Sequence, residues 1–348
     1  MALGPLMLDL HGPALTAEER EQLCHPAVGG VILFSRNYVD REQLRKLVAD
    51  IHGLRDPPLL TAVDHEGGAV QRFRNGFTPL PACAALGRAF DRDRPRGLQL
   101  AEQHGWLMAA ELRTAGVDLS FAPVLDVGLG VSRVINDRAF HRDPEVIALL
   151  ASAYVRGMHA AGMAAVGKHF PGHGSVAPDS HHELPVDPRP YDRIRERDLV
   201  PFERLIRGGL EGIMPAHVVY TRVDARPSGF SSWWLNEVLR GELGFQGTIF
   251  SDDISMSGAA CIGDFPGRAR AALAAGCDMV LLCNSPDQIP SVLRGLEDYH
   301  DPVAQLRLVR MHGRAAPPPD SARREQASAA LVSVVAAAEL ALGDDYPA

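Results

Sequence analysis

Eight short apolar runs, each ending in a polar residue, recur along this chain and limit the folds that it can adopt. Seven segments with the apolar spacing of amphipathic helices alternate with them. Continuous apolar strands that alternate with helices imply a parallel sheet buried on both faces. Eight such units favour an α/β fold closed into a (β/α)8 TIM barrel over an open, doubly wound sheet. The runs span residues 5–9, 30–34, 59–64, 119–126, 163–169, 212–217, 247–253 and 278–284, and the helical segments span residues 16–25, 41–54, 97–115, 144–161, 191–208, 233–243 and 265–275.

Glycine follows several of the predicted helices, as expected where a residue in the left-handed conformation ends a helix. No G-x-G-x-x-G follows the first apolar run, which counts against a dinucleotide-binding fold. The glycines expected to end helices are Gly116, Gly162, Gly208, Gly244 and Gly276.

The chain beyond about residue 300 has a different character. Three prolines, Pro317, Pro318 and Pro319, interrupt it, and Asp320 is placed to cap an alanine-rich helix. We therefore expect a single barrel domain over residues 1–300. A C-terminal tail over residues 301–348 is expected to be helical or partly disordered and to carry no chemistry.

Barrel geometry predicts where the polar residues that end the apolar runs lie. In such barrels the carboxyl ends of the strands converge on one mouth, and active sites lie there. Eight polar strand ends together predict a site at this mouth, whereas polar residues at the opposite face are expected to serve stability. The residues expected at the mouth are Asp9, Asn37, Asp64, Glu66, Asp126, Lys168, His169, His217, Asp252, Asp253 and Asn284.

A loop dense in titratable groups follows the fifth run, over residues 168–185. Its prolines and glycines forbid a continuing helix or strand, so it leaves a strand end as irregular structure. Loops on a rigid scaffold are where binding and catalysis concentrate. The groups that crowd this loop are Lys168, His169, His173, Asp179, His181, His182 and Glu183.

Composition and net charge disfavour some classes of binding partner. The formal net charge of -8 argues against nucleic acid or an anionic membrane as the main partner. Five cysteines without C-x-x-C spacing indicate reduced thiols in a cytoplasmic protein. Residues 1–10 lack the pattern of a signal peptide, and every apolar stretch is shorter than the roughly 18 residues of a membrane span.

Three chemistries fit these residues poorly. There is no G-x-S-x-G elbow, and no cysteine lies beside a plausible base, which disfavours acyl transfer. Lys168 at a strand end suggests a Schiff base, but the acidic mouth is expected to keep it charged and so a hydrogen-bond donor. A metal site is disfavoured because the first run offers only His11, and because Pro171 separates His169 from His173.

Carboxylate-driven glycoside cleavage fits better. A retaining glycosidase needs a nucleophilic carboxylate and, about 5 Å away, a group that donates and then withdraws a proton. Asp252 at the end of the seventh run supplies the nucleophile. His181 on the loop supplies a proton carrier, and Asp179 two residues earlier would fix the tautomer of its imidazole.

Six motifs resemble glycoside hydrolase family 3, in order and at compatible spacing as far as about residue 300. More narrowly, they resemble the bacterial cytoplasmic β-N-acetylglucosaminidases of peptidoglycan recycling. Position 65 is His where relatives often have Gln, and Asn136-Asp137 precede Arg138 where Gly-Glu is familiar. The motifs are V-D-H-E-G-G-A-V-Q-R-F at 63–73, F-A-P-V-L-D-V at 121–127, K-H-F-P-G-H-G at 168–174, D-S-H at 179–181, M-P-A-H at 214–217 and F-S-D-D-I-S-M at 250–256.

The resemblance implies roles for particular residues. It implies Asp252 as the nucleophile that forms a covalent glycosyl-enzyme, with His181 as the acid/base and Asp179 as its partner. It implies no cofactor or metal, and we expect a monomer. The implied substrate is the disaccharide of N-acetylglucosamine β-1,4-linked to 1,6-anhydro-N-acetylmuramic acid, with or without peptide. The residues implied to hold the N-acetylglucosamine hydroxyls are Asp64, Arg72, Arg138, Lys168 and His169.

Other interpretations stay open at this point. A metal-dependent amidohydrolase and a sugar-binding barrel without turnover both remain alternatives. Arg72 is able to pair with Glu66 as a rim salt bridge. Asp253 is expected to be a structural acceptor, because only one of two adjacent strand residues faces the barrel axis. The remaining residues interpreted as structural are His217 and Asp126 at the rim, His173 and His182 within the loop, and Trp233 and Trp234 in the outer core.

Overall fold

The computed structural model of the chain describes the backbone of residues 2–180, 182–316 and 320–343, and their side chains as far as residue 336. Eight parallel strands, one from each apolar run, form a nearly closed barrel in the order β4-β3-β2-β1-β8-β7-β6-β5. Neighbours in the chain are therefore neighbours in the barrel, and β1 lies beside β8. The strands are β1 Leu6–Asp9, β2 Val28–Leu33, β3 Leu60–Val63, β4 Leu119–Ser120, β5 Val166–Phe170, β6 Gly212–Pro215, β7 Thr248–Asp253 and β8 Met279–Leu282.

The seam of the barrel lies between β4 and β5. The regular part of β4 covers only two residues, because Pro123 has no N–H to donate to a strand ladder. Beyond that proline the chain still pairs with β5: Val124 and Lys168 form a parallel bridge, and the N–H of Leu125 donates to the carbonyl of Lys168 over 2.6 Å. The predicted barrel is confirmed. Within the run 119–126, only Leu119–Ser120 form a regular strand, and Val124 adds an isolated bridge to β5.

Burial on both faces explains why these runs form a barrel. All six residues of β2 and all four of β8 are buried, as expected for parallel strands covered by helices. Inside, Phe121 after β4 meets Phe250 of β7 edge to face, with ring centroids 5.3 Å apart. Side chains therefore fill the barrel interior below the mouth.

Each predicted helical segment is helical over at least part of its length. Three further helices, Cys83–Arg92, Ile289–Gly295 and Pro302–Val309, were not predicted, because they are short or follow a proline-rich stretch. The helices are α1 Ala17–Leu23, α2 Arg41–His52, α3 Cys83–Arg92, α4 Arg94–Thr114, α5 Pro144–Ala160, α6 Tyr191–Arg195, α7 Val200–Arg207, α8 Phe265–Ala275, α9 Ile289–Gly295, α10 Pro302–Val309 and α11 Ser321–Gly343, with a π-helix at Trp233–Glu242.

Two helical segments differ from their prediction. The segment 191–208 is two helices, α6 and α7, rather than one, because Pro201 cannot donate to the preceding turn and is placed in the first turn of α7. The segment 233–243 winds as a π-helix, in which the N–H of Leu243 donates to the carbonyl of Val238 five residues back.

Four of the five glycines expected to end helices have positive φ. These are Gly116, Gly162, Gly244 and Gly276. The prediction for Gly208 was wrong: that residue has φ -79, and the left-handed conformation passes to Gly209 at φ 88.

The C-terminal segment packs on the outside of the barrel. Helix α11 lies against α4, where Leu331 is buried and Arg323 stacks over the ring of Trp106 at 4.1 Å. Arg324 also pairs with Glu111 of α4 over 2.8 Å. Within the described residues, no helix is both long and apolar enough to cross a membrane.

A buried carboxylate, Asp118, joins several elements at the amino-terminal face of the barrel. It accepts hydrogen bonds from the N–H and hydroxyl of Thr61 in β3, both over 2.9 Å, and from the N–H of Gly313 over 3.0 Å. Burial by itself would raise the pKa of Asp118, but the hydrogen bond and charge of His52 and the backbone donors hold the pKa below 3.8. These contacts fit the expectation that polar residues at this face serve stability.

Substitution of this carboxylate is expected to destabilise the fold. Asp118→Asn turns an amide N–H₂ toward donors that now face an anion, and we expect it to lower the free energy of unfolding by about 2 kcal/mol. Urea denaturation measures the change, and Asp298→Asn, an exposed carboxylate at the same face, provides the matched control. Equal stability of the two variants would contradict the role given to Asp118.

Candidate active site

One cavity of about 550 Å³ opens at the carboxyl ends of the barrel strands. It brings together every predicted site residue that the structure describes. The acid/base candidate, His181, lies outside the described residues. The predicted site residues that line the cavity are Asp64, Arg72, Arg138, Lys168, His169, Asp179 and Asp252.

A buried cluster of alternating charges forms one wall of the cavity. The Nζ of Lys168 lies 2.7 Å from both Asp64 Oδ1 and Glu66 Oε1. Arg138 donates two hydrogen bonds to Glu66, over 2.8 and 2.7 Å. Arg72 lies 3.8 Å from Asp64. The alternative in which Arg72 pairs with Glu66 was wrong, because Arg138 occupies both oxygens of that carboxylate.

The cluster fixes the protonation of its members. Burial by itself would lower the pKa of Lys168, but the carboxylates of Asp64 and Glu66 outweigh it and raise the pKa above 10.5. Burial would raise the pKa of Glu66, yet Arg138 and Lys168 hold it well below its usual range. Lys168 is therefore a charged hydrogen-bond donor, as predicted, and is unsuited to forming a Schiff base.

A second buried carboxylate, Asp126, orients the neighbouring wall. It accepts hydrogen bonds from His169 Nδ1 over 2.7 Å and from the N–H of His173 over 2.6 Å. Burial opposes its charge, but His169 and His173 keep the pKa of Asp126 below 3.8. Because Nδ1 of His169 is held by Asp126, its Nε2 is the ring atom left for a ligand in the cavity. Asp126 therefore orients His169 and His173 and is not only a hydrogen-bonding residue at the rim.

The two adjacent aspartates at the end of β7 have different surroundings. Asp253 accepts hydrogen bonds from the N–H and hydroxyl of Ser255, over 2.9 and 2.6 Å, and from the N–H of Cys283 over 3.1 Å. Burial raises the pKa of Asp253 to about 6. Asp252 is half-buried on the cavity wall. The prediction that Asp253 is a structural acceptor is confirmed.

The loop after β5 is seated closely on the barrel. A Cβ on Gly174 would lie 2.0 Å from the carbonyl oxygen of Val127, so only glycine fits there. The distal end of the loop is held by Arg189, which pairs with Asp187 over 2.6 Å and with Asp198 over 2.7 Å. Sequence reasoning missed Arg189, since nothing in its neighbourhood indicates partners that only the fold brings near.

The two departures from the family pattern have local explanations. His65 does not line the cavity; its ring packs against Phe73 and Phe77 with centroids 5.6 and 5.4 Å away, and burial lowers its pKa to about 3. Asn136 has φ 40, a left-handed conformation that asparagine tolerates better than most residues other than glycine. Arg138, two residues later, lines the cavity despite this departure from the family pattern.

The other residues predicted at the mouth have structural contacts. Asp9 pairs with Arg36 beside the cavity, and Asn37 turns inward to donate to the carbonyl oxygens of Leu10 and Gly12. Asp253 and Asn284 line the cavity.

The aromatic and histidine residues interpreted as structural also have identifiable partners. His217 stacks on Phe230 and contacts the carbonyl of Asp253 over 3.0 Å. Trp234 is fully buried against Phe170, which confirms its place in the outer core. Among the described side chains, no group of three or more His, Cys, Asp and Glu is placed to hold a metal ion.

A parallel barrel with a carboxylate on its cavity wall and charged donors around it has the makeup of an enzyme that cleaves glycosidic bonds. The fold and the cavity together define a barrel glycoside hydrolase.

Comparisons with known proteins agree with this class. Residues 6–309 match the family described as Glycosyl hydrolase family 3 N terminal domain. The beta-hexosaminidase of Thioalkalivibrio sulfidiphilus is 64% identical over 315 residues, 90% of each chain, and that of Alkalilimnicola ehrlichii is 62% identical over 314 residues, also 90% of each. The crystal structure of NagZ from Neisseria gonorrhoeae in complex with N-trifluoroacetyl-D-glucosamine has a TM-score of 0.91 at 43% identity, covering 96% of this chain and 98% of that one.

The chain belongs to glycosyl hydrolase family 3. Within the family it is a β-N-acetylhexosaminidase of the NagZ type, which hydrolyses N-acetylglucosaminides. The family resemblance drawn from the six motifs is confirmed.

The buried cluster around Glu66 is expected to be sensitive to loss of one charge. Glu66→Gln leaves Lys168 and Arg138 buried with one anion fewer, and we expect a loss of about 3 kcal/mol in the free energy of unfolding and a raised KM. Chemical denaturation and steady-state kinetics measure the two effects.

The matched control is Glu102→Gln, which removes one partner of an exposed pair with Arg156. Exposed pairs contribute little, so this variant is expected to stay within about 0.5 kcal/mol of the parent. A Glu66→Gln protein as stable as the control would show that the cluster is not a structural requirement.

Proposed function

We propose that this β-N-acetylhexosaminidase is a retaining exo-enzyme of peptidoglycan recycling in the cytoplasm. Its substrate is the disaccharide in which N-acetylglucosamine is β-1,4-linked to 1,6-anhydro-N-acetylmuramic acid, with or without peptide. The resemblance of the motifs supports this substrate, and the likeness to a NagZ crystallised with N-trifluoroacetyl-D-glucosamine supports its N-acetylglucosamine part. The active species is proposed to be a monomer.

The sugar is proposed to bind against the two charged walls of the cavity. Lys168, Arg72 and Arg138 donate to its hydroxyls, and the carboxylate of Asp64 accepts from them. His169 contributes Nε2, because Asp126 holds its other nitrogen. Since the pairs within the cluster are already formed, the donors need no reorganisation when the sugar arrives.

Asp252 is proposed as the nucleophile. Its Oδ attacks C1 of the N-acetylglucosamine ring as the bond from C1 to the leaving oxygen breaks, which gives a covalent glycosyl-enzyme. The observation that carries this assignment is the contrast at the end of β7. Both carboxylates line the cavity, but both oxygens of Asp253 accept hydrogen bonds from Ser255 and one also accepts from the N–H of Cys283, which fits a structural role for Asp253.

Asp179 and His181 are proposed as the acid/base pair. Protonated His181 gives its proton to the leaving oxygen, and the neutral imidazole then takes a proton from the water that attacks C1 and releases Asp252. Asp179 supports this position, because it lines the cavity on the loop that follows β5. Its carboxylate would hold the imidazole tautomer and stabilise the imidazolium.

The domain division remains a prediction, with a catalytic barrel over residues 1–300 and a C-terminal segment over residues 301–348. The proposed reaction uses side chains only, so it requires neither a metal ion nor a cofactor. Activity toward a chromogenic N-acetylglucosaminide is therefore expected to persist with a chelator.

Asp252→Asn is expected to lower kcat at least about 10³-fold, since it removes the only proposed nucleophile. A fluorinated N-acetylglucosamine derivative that slows the second step is expected to label the parent protein on Asp252. Mass spectrometry of the digested protein measures the label.

The matched variant Asp253→Asn changes the neighbouring carboxylate and is expected to lose stability but still accept the label on Asp252. A label on any other residue would remove Asp252 from its role. Loss of the parent's activity with the chelator would instead favour a metal-dependent hydrolase.

A further inference from the structure

Ser180 stands in the chain between the two proposed acid/base residues, and it is almost completely buried, with 2% of its surface exposed. It also lines the cavity. Its hydroxyl oxygen lies 3.2 Å from Nε2 of His173, within hydrogen-bond distance. A serine that served only to link two functional residues could stay exposed on the loop, so the burial of Ser180 calls for another explanation.

His173 lies between Ser180 and the buried carboxylate of Asp126. Its backbone N–H donates to Asp126 over 2.6 Å, and its Nδ1 lies 3.5 Å from the hydroxyl of Ser132. Asp126 also holds His169, one of the proposed sugar-binding residues. The hydroxyl of Ser180 is therefore linked through His173 to the carboxylate that orients the sugar site.

The backbone of Ser180 is tied to a different strand. Its carbonyl accepts a hydrogen bond of 3.0 Å from the N–H of Gly258, in the turn Ser257–Ile262 after β7. A Cβ on Gly258 would lie 2.9 Å from Cβ of His217 and 3.3 Å from the carbonyl oxygen of Ser180. The approach is close enough that only glycine fits without displacement.

We propose that Ser180 is a positioning residue for proton transfer in the glycosidase reaction. Its contacts tie Asp179 and Ser180 to two parts of the barrel: His173 with its neighbour Asp126, and the turn that follows β7. Misplacement of a proton carrier by about 1 Å is enough to cost a large part of its effect. This inference rests on the proposed roles of Asp179, His181 and Asp252.

Leaving-group dependence separates this role from a structural one. The value of kcat/KM reports the step that breaks the glycosidic bond, and a poor leaving group needs the proton more than an activated one. We expect Ser180→Ala to lower kcat/KM about 10-fold for an alkyl N-acetylglucosaminide and less than about 2-fold for a dinitrophenyl N-acetylglucosaminide. Competitive inhibition by free N-acetylglucosamine is expected to be unchanged.

A double-mutant cycle tests the path through His173. His173→Leu removes the ring nitrogens but leaves the backbone bond to Asp126, so in this background Ser180→Ala is expected to cost less than about 2-fold further. Ser257→Ala, an exposed serine in the neighbouring turn, is the matched control and is expected to behave as the parent. If Ser180→Ala fails to fold, Ser180→Cys keeps the volume and weakens the hydrogen bond.

The outcomes distinguish this inference from the proposed function. If Asp179→Ala steepens the leaving-group dependence and Ser180→Ala lowers kcat/KM equally for both substrates, the positioning role is wrong while the acid/base pair stands. An undiminished effect of Ser180→Ala in the His173→Leu background also overturns the positioning role. If Asp179→Ala itself shows no steepening, the acid/base assignment fails and the inference fails with it.

Discussion

The charge cluster of Lys168, Glu66, Arg138 and Asp64 is the interaction on which the site depends. Removing charges from water is costly, and a buried ion is tolerated only when its partners are close and well oriented. Here the loop after β3, the turn before α5 and strand β5 each contribute one or more members. The wall of the cavity therefore exists only when these three parts of the barrel are correctly assembled, so the residues proposed to bind the sugar also belong to the buried structure of the barrel.

The two aspartates of β7 illustrate how a strand assigns different tasks to identical side chains. Both line the cavity, but the carboxylate of Asp253 is also hydrogen-bonded to Ser255 and to the N–H of Cys283 after β8. Burial raises the pKa of Asp253 to about 6, while the donors Ser255 and Cys283 oppose that rise. Asp252 is the one of the two aspartates that we propose as the nucleophile.

Much of the fold and of the site was predictable from sequence, because both follow from local patterns. The apolar runs gave the eight strands, and barrel geometry placed their polar ends at one mouth. The partners of those residues were less accessible: Arg138 and Glu66 are 72 positions apart, and the sequence offered only a pairing of Glu66 with Arg72, as an alternative. Arg189 was missed, as was the burial of Ser180, because both depend on how a loop folds back. His181 lies outside the described residues, so its place remains a prediction.

The close packing of the loop after β5 limits which substitutions this enzyme can accept. Gly174 and Gly258 leave no volume for a Cβ, since one faces the carbonyl of Val127 and the other faces His217. Point substitutions at these positions would displace the whole loop rather than adjust it. New substrate preferences are therefore expected to arise at the exposed residues of the outer rim, while these two buried positions stay glycine.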